Sequence, residues 1–152
     1  MPIRPFRDQD RGAVLTFLGD PRAIDSPSHR LHVAEEGGAI VGAVVWTQPD
    51  AGEEAWLGTV IAPPERWDLF YGLVKATAED ALARGFKRAR FTLQDKRLLD
   101  KLRRDFTIVP QPSGWNPRTH QPVAWEVTVE LEDALRQLQA KADPLLAEDR
   151  AL

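Results

Sequence analysis

A strand, a helix and a second strand follow one another between residues 55 and 93 with little chain spent on the joints. Residues 55–62 read as a strand. From about 65 to 84, Phe70, Leu73, Val74, Thr77, Ala78 and Ala81 recur at helical spacing. Arg84 in the last turn and Gly85 just beyond it stop that helix, and residues 86–93 return as a strand. A unit of this length crosses over right-handedly and leaves its two strands parallel.

The chain upstream pairs differently. Gly37-Gly38 separates strand candidates at 31–36 and 39–48, and both glycines tolerate the positive φ of a tight hairpin. A turn over 49–54 leads to the strand at 55–62, so three consecutive strands run antiparallel. Before them, residues 3–6 form a short strand. Asp8 offers an N-cap to a helix bearing Ala13, Val14, Phe17 and Leu18 on one side, with Gly19 as its stop. Residues 20–30, with Pro21 and Pro27, are loop or one irregular helical turn.

Downstream, Leu98, Leu99 and Leu102 mark a helix over 96–104, a strand over 106–109 stops at Pro110, and 112–121 is a loop by composition. Residues 122–131 alternate, with Val123, Trp125, Val127 and Val129 on one face and Glu126, Thr128 and Glu130 on the other. Leu135, Leu138 and Ala142 form a weak apolar stripe before Pro144. The order β-α-β-β-β-α-β-α-β-β predicts an α/β fold with a mixed, mostly antiparallel sheet of about seven strands flanked by helices. One domain covers 1–131, and a C-terminal helix and tail cover 132–152.

Composition narrows the function classes. The chain has 152 residues, 43% apolar and 28% charged, with a net charge of −3. Nucleic acid and membranes are therefore not its expected partners. There is no cysteine, which removes disulfides, thiolate metal sites and thiol nucleophiles. No signal-peptide run opens the sequence, and a cytoplasmic location is expected. His29, His32 and His120 lack metal-ligand spacing, and Ser26, Ser28 and Ser113 lack a nucleophile context, so no metal is called for.

Other polar and aromatic residues are read conservatively. Glu53 and Glu54 read as solvated turn acids. Basic residues from Arg84 to Arg104 read as a solvated face, except that Arg88 and Arg90 share one face of an inner strand and need acidic partners or an open cleft. Trp46 and Trp56 lie on neighbouring strands and are placed to pair across the sheet, while Trp67 and Trp115 are placed to line a pocket or interface.

The joint itself, Val60-Ile61-Ala62-Pro63-Pro64-Glu65-Arg66-Trp67-Asp68-Leu69-Phe70-Tyr71-Gly72, aims a helix N-terminus at whatever lies in front of it. With Ile3-Arg4-Pro5-Phe6, the hairpin Val33-Ala34-Glu35-Glu36-Gly37-Gly38-Ala39-Ile40-Val41-Gly42 and Gly85-Phe86-Lys87-Arg88, it resembles the GNAT superfamily of acyl-CoA-dependent N-acyltransferases from Ile3 to about Leu131. The resemblance implies a bulged fourth strand splayed from the fifth, with acetyl-CoA or another acyl-CoA in the cleft. A small-molecule or protein amine would be the acceptor, and a homodimer is left open. It further implies that Val60 or Ile61 polarises the thioester carbonyl, and that Arg66 and the N–H groups of Leu69, Phe70 and Tyr71 meet the pyrophosphate.

Two departures set this chain apart from that pattern. Trp67, Leu69 and Tyr71 stand at three small-residue positions of the family's pyrophosphate loop, where side chains crowd an approaching phosphate. Lys101 stands near the position where many members carry a general-acid tyrosine. No catalytic residue is assigned. Two readings follow: a divergent acyltransferase, and a non-catalytic binding or protein-interaction module of the same fold.

Overall fold

In the computed structural model, which describes residues 2–151 with side chains through Lys141, seven strands form one sheet. The chain order is β1 (Ile3–Pro5), α1 (Arg11–Leu18), α2 (Arg22–Asp25), β2 (His29–Glu36), β3 (Ala39–Thr47), β4 (Glu54–Ile61) and α3 (Trp67–Ala83). It continues with β5 (Arg88–Leu93), α4 (Lys96–Asp105), β6 (Gln111–Trp115), β7 (Pro122–Glu130) and α5 (Leu131–Ala151). The spatial order is β1-β2-β3-β4-β5-β7-β6, and every pairing is antiparallel except β4 with β5.

The hairpin glycines behave as their sequence requires: Gly37 and Gly38 have φ of 58° and 81°, values that suit a two-residue turn matched to strand twist. The parallel seam is short. Only Glu54, Ala55 and Trp56 pair with Arg88, Ala89 and Arg90. In the same strand, Val60 faces Val44 while Leu57 faces Trp46, so β4 spends one more residue than β3 around Gly58 and Thr59. That bulge bends β4 and raises its twist. Beyond Trp56 the two parallel strands part.

Helices cover the sheet unequally. Val14 and Ile24 of α1 and α2 pack on Val33 and Ala43 on one face. On the other, Leu69 and Leu73 of α3 pack on Ala34 and Val44. Ala89 of β5 meets the cluster built by α3 and α5, and Leu93 meets Leu99 of α4. Residues two and four apart on a strand share a face, so α3, α4 and α5 all lie on one side. Behind β5 the sheet is open to solvent. There Arg90 stacks over Trp56, 5.5 Å from its ring centroid, and sits 3.3 Å from Glu54 and 3.5 Å from Glu126. Arg88 has Glu53 at 3.6 Å. These two arginines do find acidic partners.

Helix α5 is built into the same core: Leu131 and Leu138 are buried beside Ala78 and Ala81 of α3. It continues through Pro144. The expectation for Ala142 lies outside the residues whose side chains are described.

Several expectations are corrected. Residues 106–109 form no strand, and residues 111–115, inside the presumed loop, form β6. Pro112 and Gly114 mimic loop composition, but β6 is an edge strand, where a missing N–H costs nothing on the outer side. Trp115 accordingly sits at the end of a strand. Trp46 and Trp56 do not pair; Trp46 is buried, with Nε1 donating to Asp80 at 3.1 Å, and Trp56 is exposed on the opposite face. Asp8 is not an N-cap. It opens a 3-10 turn, Asp8–Asp10, whose buried Asp10 is gripped by both terminal nitrogens of Arg4, at 2.7 and 2.9 Å.

Candidate functional site

Where β4 leaves β5, a cavity of about 330 Å³ opens between the sheet and its three covering helices. Leu57, Gly58 and Val60 of β4 wall one side, Phe91, Thr92 and Leu93 of β5 another, and Phe70, Tyr71 and Val74 of α3 the roof. Leu98 and Leu102 of α4 and Ala134, Gln137 and Leu138 of α5 close the remainder. The segment 106–109 lies along its edge, which is where those apolar residues go instead of into a strand. Gly58 and Thr92 are exposed, so the slot also reaches the opposite face of the sheet. An apolar pocket of this size is typical of a small-molecule site.

A second, wider depression lies outside the first, between residues 62–67 and α4. Ala62, Pro63, Pro64, Glu65, Arg66 and Trp67 face Arg97, Lys101 and Arg104 across it. Phe70 and Leu98 border both spaces and form the constriction between them.

The turn into α3 is tightly wound. Arg66 N–H donates to Pro63 O at 3.1 Å and Glu65 has φ of 64°. With proline fixing the residue before it, this is a type II turn carrying glutamate where glycine is favoured. A left-handed conformation costs a non-glycine residue about 1–2 kcal/mol. The amides of this turn are largely committed. Pro64 has no N–H and Arg66 gives its own to Pro63, while Asp68 places a carboxylate in the first turn of α3. Asp68 thus occupies the positive helix end that would otherwise attract an outside anion.

Arg66 is likewise engaged. Its two terminal nitrogens reach Glu36 at 2.9 and 2.7 Å, while Nε and Nη2 reach Asp68 at 3.0 and 2.9 Å. Asp68 and then Glu36 hold the guanidinium pKa far above its usual value, and Arg66 in turn depresses both carboxylates. One cation against two anions leaves this cluster net negative.

The crowding expected from Leu69 and Tyr71 does not occur. The helix starts at Trp67, so both side chains already point into the core, at 0% and 1% exposure. Of the three bulky residues only Trp67 lines the outer depression, with Lys101 Nζ 5.3 Å from its ring centroid. Asp68 and Glu36 are held by Arg66 beside this depression, and the depression itself is lined by Arg66, Arg97, Lys101 and Arg104 together with Glu65, Asp95 and Asp100. Arg66 remains at the mouth of the depression, Val60 and Phe70 line the slot, and Ile61 pairs with Ala43 of β3. Consecutive residues of an antiparallel strand direct their N–H groups to opposite sides, so one of Val60 and Ile61 turns its amide toward the splayed side.

Sequence reasoning passed over a second network. Tyr71 Oη donates to Asp105 Oδ2 at 2.5 Å, and Lys101 Nζ lies 3.0 Å from the same oxygen. Burial first, then the bond to Asp105, raises the Tyr71 pKa well above its ordinary value. Burial pushes Asp105 up, but the bonds from Tyr71 and Lys101 outweigh it and hold the carboxyl below its ordinary range. The available signal was the i,i+4 spacing of Lys101 and Asp105 on one helix. Among the described residues, no group of three or more acids and histidines is placed to hold a metal ion, and no helix is long and apolar enough to cross a membrane.

A mixed seven-stranded sheet, bulged in β4 and parted between its parallel strands β4 and β5, with helices on both faces, is the GNAT fold. Solved structures agree. An acetyltransferase of the GNAT family from Streptococcus pneumoniae superposes with a TM-score of 0.63 at 15% identity, covering 84% of this chain and 98% of its own. A variant of the spermidine N-acetyltransferase SpeG from Vibrio cholerae gives 0.63 at 12% identity, covering 88% and 95%. A ribosomal-protein-alanine N-acetyltransferase from Brucella melitensis gives 0.61 at 13%, covering 86% and 99%. No family model matches the sequence, and no curated protein matches it. The chain has the GNAT fold.

Proposed function

We propose that this chain is an acyltransferase-like protein that takes the thioester arm of an acyl-CoA into the slot between β4 and β5 and presents its acyl group to an amine. The observation that carries this reading is the slot: an apolar passage beside the β4 bulge, bordered by edges of β4 and β5 that no longer pair with each other past Trp56. Backbone N–H and C=O groups left unpaired along a strand seek partners, and an arm containing amides supplies them. The thioester part fits this chain. The diphosphate part does not, because Arg66 is already saturated and Asp68 occupies the helix end.

The chemistry would be direct acyl transfer. The amine nitrogen attacks the thioester carbonyl carbon, a C–N bond forms, the C–S bond breaks, and the proton lost by nitrogen is taken up by the departing sulfur. An N–H of Val60 or Ile61 on the splayed side would steady the oxygen as charge develops there. The acceptor would approach from the open face, past Thr92 and Gly58. The solved relatives in name act on spermidine or on a protein's alanine; for this chain the acceptor is an amine of unspecified size.

The saturated Arg66 favours a second reading, a non-catalytic module that keeps the fold and has lost the phosphates' anchor. Calorimetric titration with acetyl-CoA and S-acetylpantetheine separates the two. Affinities within about tenfold of each other support a thioester site without a working diphosphate cradle. Preference for the CoA form by about a hundredfold or more would restore the cradle. Heat from neither ligand would leave the module.

A further inference from the structure

The slot runs deeper than a two-carbon acyl group needs, and its depth is made by α5. Along the roof, Phe70 at the constriction and Val74 stand four residues apart on α3, about 6 Å at 1.5 Å per residue. Beyond the β4 border the lining changes character. β7 and α5 contribute the apolar Val129, Ala134 and Leu138 beside the polar Thr128, Glu130, Asp133 and Gln137, and Phe91 of β5 lines the same space. Of the polar residues, Glu130 and Asp133 are exposed, and Gln137 Oε1 accepts from Thr107 N–H at 2.8 Å.

Resting on the thioester reading above, we infer that the acyl group this chain accepts is a hydrocarbon chain of about six carbons or more, lying beneath α5 against Val74, Phe91, Val129, Ala134 and Leu138. Protein interiors are close-packed, and a void of this size leaves its lining without dispersion partners. Leu57, Val74, Phe91 and Leu102 are only partly buried because they face this space. Charge sets the direction. Glu130 and Asp133 at the α5 rim repel a carboxylate, so a free fatty acid is disfavoured with its head there. A chain esterified at its other end, entering past Phe70, meets no such repulsion.

The test is calorimetric titration of the intact protein with S-acetyl-, S-hexanoyl- and S-decanoylpantetheine. Four added methylenes buried in the slot raise affinity on the order of a hundredfold from acetyl to hexanoyl. Ala134→Phe fills the deep end from α5 and Val74→Phe from α3. Either variant, shown folded by its far-UV spectrum, lowers hexanoyl and decanoyl affinity more than acetyl affinity and so removes the chain-length gain. Equal affinity for all three lengths, or an undiminished gain in both variants, overturns the chain assignment alone. Absence of binding at every length overturns the thioester reading beneath it.

Discussion

Tyr71 and Asp105 are joined by a 2.5 Å hydrogen bond that ties the second turn of α3 to the last residue of α4. These two helices carry the two sides of the constriction at Phe70 and Leu98, so the bond fixes the entrance to the slot. Tyr71→Phe is expected to lower stability by about 1.5–3 kcal/mol, the range for a bond to a charged acceptor. The pH dependence has two signs. Asp105 is lower in the folded state, so its contribution is present above 3.8 and is lost as the pH falls through the folded value. Tyr71 is higher in the folded state, so its contribution holds below 10.0 and is lost as the pH rises beyond it. Denaturant melts across the pH range should show the wild-type advantage shrinking at both extremes; an advantage independent of pH would refute the assignment.

Asp68 acts as the internal anion of the α3 terminus, and its removal should expose that terminus. Asp68→Asn is expected to cost about 0.5–2 kcal/mol of stability through the lost charge at the helix end. The same change should tighten CoA binding by about tenfold while leaving pantetheine binding unaltered. Unchanged CoA affinity, measured by calorimetry, would place the obstacle elsewhere.

Gly42 is dictated by the approach of β4. A Cβ there would lie 2.6 Å from Ile61 O and 3.4 Å from Leu73 Cδ1. The first contact is with backbone and cannot be relieved by a rotamer change. Gly42→Ala should destabilise by about 1–3 kcal/mol and displace the end of β4 that borders the slot. A thermal melt matching the parent's would contradict this packing.

Leu138 is 5% exposed and sits among α3, the sheet and the slot. Leu138→Ala should cost about 2–5 kcal/mol. Because the new space joins an existing cavity, binding of long-chain thioesters should survive at reduced affinity. Chemical denaturation gives the first quantity and titration the second. A negligible loss of stability would mean that α5 is only loosely docked.

Much of this architecture is legible in the residues because local rules and tertiary demands agree. The period change between 55 and 93 fixes the crossover, and Gly37-Gly38 fixes the hairpin, since few other pairs hold φ of 58° and 81°. Strand β6 was hidden because Pro112 and Gly114 carry loop composition, and only its edge position beside β7 makes it a strand. The site was harder. Matching Leu69 and Tyr71 to the small positions of the family's loop put their side chains in the phosphate's path, whereas the face of α3 that carries them is turned into the core. Arg66 was visible as a cation, but its partner Glu36 comes from a strand thirty positions earlier, a distance that local pattern does not bridge.

The outer rim at β6 has a further bearing on how the molecule behaves in a crowd. Pro112 offers no amide hydrogen, and the register slips twice, between Pro112 and Gly114 and again before Trp115. A foreign strand meeting that margin finds an interrupted ladder and cannot zip onto it. At the opposite margin, β1 exposes only three residues. Both borders of the sheet are thereby blunted against fibrous self-association.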